Sequence, residues 1–185
     1  MMTVEALQQA LNAEPDRAEL RIRLGDALLE AGHPEQALAC FEACSPEDDS
    51  PPMDALGRAA LFGRAAANQR LGRFPSAQIL YERLLAADPQ AEEALSNLIA
   101  MHVERFDLSR VEYYSRRLLE IDPRSAIACQ GLALVEVERR EYPAAMYWLS
   151  RIAECDPPPE GIDAIEYRLS PKVQARLAQA SLLKA

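Results

Sequence analysis

The side chains here that could bind a metal or do acid–base and nucleophilic chemistry are few: Cys40, Cys44, Cys129 and Cys155, with His33 and His102. Cys40 and Cys44 are four residues apart, which on a helix puts both thiols on one face, and His33 precedes them in a turn. Three soft ligands suggest zinc, but a tetrahedral site needs a fourth, and no C-x-x-C pair occurs. Small cysteines buried by helix packing explain the spacing without an ion, so no metal is expected. All four thiols are expected to be reduced, with Cys40 or Cys44 partly shielded. His102 falls mid-helix and reads as a packed or hydrogen-bonded residue rather than a base. No glycine-rich phosphate loop and no G-x-S-x-G elbow is present, the signatures of phosphate binding and of serine nucleophiles. Glu136, Glu138 and Glu141 lie among Arg139 and Arg140, a pattern of surface ion pairs. The sequence predicts neither catalysis nor a cofactor.

The elements that must position any functional residue repeat. Ser76–Pro89 (SAQILYERLLAADP) returns as Arg110–Pro123 (RVEYYSRRLLEIDP) and as Ala144–Pro157 (AAMYWLSRIAECDP). The pairs Asp88-Pro89, Asp122-Pro123 and Asp156-Pro157 recur every 34 residues. Such a fixed period marks stacked helical hairpins that share one core. A first helix is expected over 3–13, with Val4, Leu7 and Leu11 on one face. Asp16 with Glu19 resembles a capping box for a helix over Arg17–Glu30, which stops at Gly32. Pro34 opens its partner, running to about Cys44. Pro15 and Pro89 are 74 residues apart, two periods plus six, and the surplus falls in the polar loop Ser45–Pro52. The pairs Met53–Leu71 with the Ser76 stretch, Gln90–Glu104 with Asp107–Ile121, and Arg124–Arg139 with Tyr142–Cys155 follow. Two short helices are expected at the end, near Asp163–Leu169 and from Ser170-Pro171 onward, with Val173, Leu177 and Leu182 on one face as an end cap. Ala77 and Ala145 are predicted to lie buried where the helices of a pair cross.

Charge is uneven. The net charge is −9, and residues 1–52 hold 11 acids against 3 arginines. An acidic chain is a poor ligand for nucleic acid or anionic lipid, which reward a basic face. No apolar run approaches the ~20 residues of a membrane span. The stretch MMTVEALQQALNAEP lacks a basic head and a continuous apolar core, so neither a signal peptide nor membrane insertion is expected, and the location is expected to be cytoplasmic. Lys172 and Lys184 are the only lysines, a bias that suits a GC-rich, bacterial genome.

The stretch Ala18–Cys44 resembles a tetratricopeptide repeat: Leu24-Gly25, Ala37 and Phe41 fit L-G…A-x3-F, with Arg21 where the family carries Trp. The resemblance runs to Pro157. In the second repeat it frays, since Arg64 and Ala65 stand at the Leu-Gly positions and Gly63 comes early, leaving the register of that helix open. The resemblance implies an all-α, right-handed α-solenoid of about ten or eleven helices. The parts would be an N-terminal helix (1–15), four repeats (16–51, 52–89, 90–123, 124–157) and capping helices (158–185). It also implies a concave groove, lined by the first helix of each pair, that holds a peptide or helix of another protein.

Helical spacing opposite the expected core residues Leu24, Leu98 and Leu132 picks out the residues facing that groove. They are Glu19, Ile22, Asp26, Leu29 and Glu30, then Ala59, Phe62, Ala66, Gln69 and Arg70. The third repeat adds Glu93, Ser96, Asn97, Ala100, Val103 and Glu104, and the fourth Ile127, Gln130, Leu134, Val137 and Glu138. The family's carboxylate clamp is not matched, because Ile22, Glu93 and Asn97 occupy its basic slots and Asp26 and Gly63 its asparagine slots. The expected partner is therefore an apolar segment with basic flanks, anchored on Phe62, Leu29 and Val103. The readings that compete are a scaffold, a secretion-type chaperone, an accessory subunit of an enzyme, and self-association, as a homodimer or by the chain's own terminal helices.

Overall fold

The computed structural model describes residues 3–44 and 54–153. These form nine helices and no strand: α1 (Val4–Ala13), α2 (Ala18–Glu30), α3 (Pro34–Glu42), α4 (Ala55–Arg70), α5 (Phe74–Ala87), α6 (Glu92–Glu104), α7 (Leu108–Ile121), α8 (Ala126–Glu138) and α9 (Tyr142–Ala153). The loop expected at Ser45–Pro52, the two C-terminal helices, Cys155 and Asp156-Pro157 lie outside the described residues. The chain divides into two compact units, 1–94 and 95–185.

Helix starts follow from their caps. Thr3, Asp54, Asp107 and Ser125 each accept the backbone N–H three residues on, satisfying a donor the helix leaves orphaned. The expected Asp16–Glu19 box does not form. Arg17 occupies the cap position without a side-chain bond; its guanidinium instead holds Glu14 (2.9 Å) and Glu19 (3.3 Å), which takes Glu19 away from the backbone. Helix ends follow from two devices. Asp88 and Asp122 close α5 and α7 and accept from Gln90 N (3.0 Å) and Arg124 N (2.9 Å), so the recurrent Asp-Pro is a turn followed by a residue that cannot continue a helix. Between the helices of each pair, a left-handed residue bends the chain: Gly32 (φ 79°), Gly72 (φ 70°), Phe106 (φ 59°) and Arg140 (φ 64°). Each time the next N–H reaches back to the carbonyl five residues earlier, as in His33 N to Leu28 O at 2.8 Å and Glu141 N to Glu136 O at 2.8 Å.

In unit 1, α1 packs on α2, and α2 through α5 pack in sequence, with α2 also against α4. Leu7, Leu20, Ile22, Leu24, Leu28, Ala37, Leu38 and Phe41 share one core. Phe41 is sandwiched: a Cβ built on Gly25 would stand 2.6 Å from its ring, and one on Gly63 2.3 Å. That contact fixes the register of α4, with Ala60, Leu61, Gly63, Ala65, Ala67 and Asn68 buried. Arg21, at the family's Trp position, bonds Ala43 O (3.4 Å) and Pro15 O, tying both ends of the first hairpin. In unit 2, α8 lies against α7 and α9 and is buried from Ala126 to Val137 apart from Gln130, as an all-round apolar helix must be. A Cβ on Gly131 would stand 2.4 Å from Ser115 Oγ. Ala37, Ala77 and Ala145 have no exposed surface.

Candidate functional site

Of the residues singled out for chemistry, His102 and Cys129 are buried and Cys40 and Cys44 partly so. His102 is buried, stacks on Tyr114 (5.6 Å between centroids, 17° between planes) and places Nδ1 3.6 Å from Asp107 Oδ2. Cys44 Sγ lies 3.3 Å from Cys40 O and 3.7 Å from Ala18 O. Partial burial pushes the Cys40 and Cys44 thiols up, away from the reactive thiolate, and Cys129 is buried. Among the described residues no group of three His, Cys, Asp or Glu is placed to hold a metal. No helix described is long and apolar enough to cross a membrane.

The predicted binding stripe divides. In unit 1, α2 and α4 pack side by side and bring the outward residues of the first two hairpins together. Glu19, Asp26, Glu30, Ala59 and Arg70 are exposed, while Leu29, Phe62, Ala66 and Gln69 are half-buried. Ile22 is not part of this surface. It is 7% exposed and belongs to the cluster that Leu7 of α1 enters. Phe62 stands edge-on to buried Tyr81 (5.8 Å, 65°), and Tyr81 donates from its hydroxyl to Gln69 Oε1 at 3.1 Å. Phe62 and Gln69 thus support the core as well as the surface, and burial pushes the Tyr81 phenol well above its ordinary range.

In unit 2, Asn97, Ala100 and Val103 of α6 are half-buried and Glu104 is exposed. On α8, Ile127 (7% exposed), Leu134 (0%) and Val137 (8%) offer a partner no surface. The period-based stripe assumed one free face per first helix, and α8 has none. Gln130 is half-buried, its Oε1 without a hydrogen-bond partner among the described residues.

The unit 1 face is acidic where it is apolar. Asp26 and Glu30 sit one turn apart with no cation paired to either among the described residues. Although Asp26 is exposed as a residue, partial burial of its carboxyl first, and then the Glu30 charge, hold that group above the ordinary aspartate range. Like charges crowded beside apolar surface favour an incoming cation. Sequence reasoning passed over a different set. Ile79 of α5, Tyr113 of α7 and Tyr147 of α9 are each more than half exposed, and they recur at the 34-residue period, the signal by which alignment of the repeats would have found them.

Comparison with known proteins fits this arrangement. Residues 3–61 match the tetratricopeptide repeat family model. The fold is similar to that of the MamA crystal structure (TM-score 0.67, 16% identity, 83% of this chain and 86% of that one). It is also similar to YrrB, described as a TPR protein with an unusual peptide-binding site (0.63, 16%, 96% and 93%). A tetratricopeptide repeat protein from Parabacteroides merdae ATCC 43184 is similar too (0.68, 22%, 97% and 68%). At these identities the likeness is one of fold. No curated protein matches the chain.

Proposed function

From a chain whose fold is that of tetratricopeptide repeats, we propose a non-catalytic protein-binding module that takes a partner segment on the α2–α4 face of unit 1. The observation that carries this is the pairing of half-buried Leu29, Phe62 and Ala66 with Asp26 and Glu30, two carboxylates with no cation paired to either among the described residues. The segment it suits has an apolar anchor and a basic flank. The anchor supplies most of the affinity, and the flank relieves the Asp26–Glu30 repulsion, so binding weakens as salt rises. The family match supports the class of activity. Scaffold, secretion-type chaperone and accessory subunit all use such a face and differ in the identity of the partner.

Affinity capture from native lysate, read by mass spectrometry, tests the proposal. Ala66→Arg adds bulk and positive charge at a half-buried site, and should abolish capture while leaving helicity intact. Phe62→Glu is the poorer probe, because its ring also packs on Tyr81. Capture that survives Ala66→Arg and is indifferent to salt would remove this face from consideration.

A further inference from the structure

We propose that the outward face of α7 and α9 in unit 2 is a second docking surface, for an acidic peptide segment of a partner protein. The proposal stands independently of the α2–α4 reading. Tyr113 is 58% exposed and Tyr147 54%, and tyrosine is among the residue types enriched at protein interfaces. Both are opposite the sides that pack inward. On α7 Val111, Ser115 and Leu118 form a buried stripe beside buried Tyr114, with Val111 and Ser115 against Gly131 of α8. On α9, Ala145 packs with Val137. A helix turns about 100° per residue, which puts Tyr113 and Tyr147 across the helix from these stripes. Each ring is held by its neighbour, Tyr113 edge-on to Tyr114 and Tyr147 edge-on to Trp148, both at 5.0 Å. The two rings stand at equivalent positions of successive hairpins, and Arg151 Nη2 of α9 donates to Pro123 O, just past the end of α7, at 2.5 Å.

Charge names the occupant. Within four residues of the two tyrosines lie Arg110, Arg116, Arg117 and Arg151 and one acid, Glu112; a second acid, Asp107, lies 3.5 Å from Arg110, which leaves four arginines against two acids. Glu112 is committed, bound by Arg116 (2.8 Å) and by Arg139. No acid lies within four residues of Tyr147. In a chain of net charge −9 this face is locally basic, and it combines Tyr and Arg, the residue types that dominate binding energy at protein interfaces. The favoured ligand has carboxylates for the arginines and an apolar side chain for the rings, the reverse of the ligand that suits Asp26 and Glu30.

Selection of random displayed peptides on the full chain tests this. The wild type should enrich an acid-rich pool. That pool should be retained by Ala66→Arg and weakened about tenfold or more by Tyr113→Ser with Tyr147→Ser. Tyr113→Phe with Tyr147→Phe should keep most of the binding, because the rings remain. The serine pair changes exposed positions, so its thermal melt should match the wild type. Absence of an acid-rich pool would overturn the proposal. So would a pool that binds the serine pair as tightly as the wild type, with poly-glutamate competing equally against both, since that is charge attraction without a site.

Discussion

Gly63 and Phe41 interlock across two hairpins: no side chain at Gly63 fits while the Phe41 ring is in place. Gly63→Ala should therefore destabilise the chain by about 1–3 kcal/mol through overpacking, measured by urea unfolding. Phe41→Leu in the same chain should recover part of that loss, so the two effects are strongly non-additive. Additive losses would show that the ring yields and that the register of α4 rests on other contacts.

Arg140 bears a left-handed backbone where the first two hairpins use glycine. An L-residue there costs roughly 1–2 kcal/mol, part of which glycine returns as unfolded-chain entropy. Arg140→Gly should raise stability by about 0.5–1 kcal/mol, seen as a higher Tm. Arg140→Ala should leave it unchanged, since it removes the charge and keeps the strain.

Asp26 contributes a pH dependence of definite sign. Its carboxyl is held above the ordinary value by burial and by Glu30, so the folded chain keeps that proton more firmly than the unfolded chain. The charged form therefore costs stability once the pH has risen through the aspartate range. Asp26→Asn should stabilise at neutral pH by about 0.3–0.8 kcal/mol, a modest figure because the group is solvent-screened. The gain should vanish below the aspartate range, and an equal gain at both ends would refute the assignment.

Glu112 behaves in the opposite sense. Hydrogen bonds from Arg139 and then Arg116 hold its carboxyl below the ordinary glutamate value. Its contribution is complete above the unfolded glutamate range and is lost as pH falls through the lower folded value. Glu112→Gln should cost about 0.5–1 kcal/mol at neutral pH by releasing α7 from the end of α8, and nothing in strong acid. Denaturant midpoints across the acid limb provide the check.

Much of the fold was legible in the 34-residue period, because a repeat that closes with Asp-Pro writes its turns into the sequence. The buried Ala77 and Ala145 followed from the same frame. What the period missed depends on neighbours far along the chain. The place of Gly63 is set by Phe41 of the preceding hairpin. The burial of Ile22 depends on the core that α1 joins, and that of Leu134 on the enclosure of α8. The acids of the unit 1 face were readable one by one, whereas the crowding of Asp26 by burial and Glu30 was not. Tyr113 and Tyr147 were hidden for a simpler reason: a search for apolar residues on the first helices never inspects the outer side of the second.

The sandwich of Phe41 between Gly25 and Gly63 bears on how such a chain can be recombined. Bulk and space are traded differently in the third hairpin, where fully buried Ile99 and Ser115, also 16 residues apart, stand in place of Gly25 and Phe41. A helix moved alone from one hairpin to the other would bring two large groups together, or two small ones. Phe41 with Gly63, and Ser115 with Gly131, further join α3 to α4 and α7 to α8, a second helix to the first helix of the following hairpin. The transferable module is therefore out of phase with the sequence repeat. Chimaeras joined within α2 or α6, so that α3 keeps α4 and α7 keeps α8, should assemble where those cut between α3 and α4 or between α7 and α8 do not.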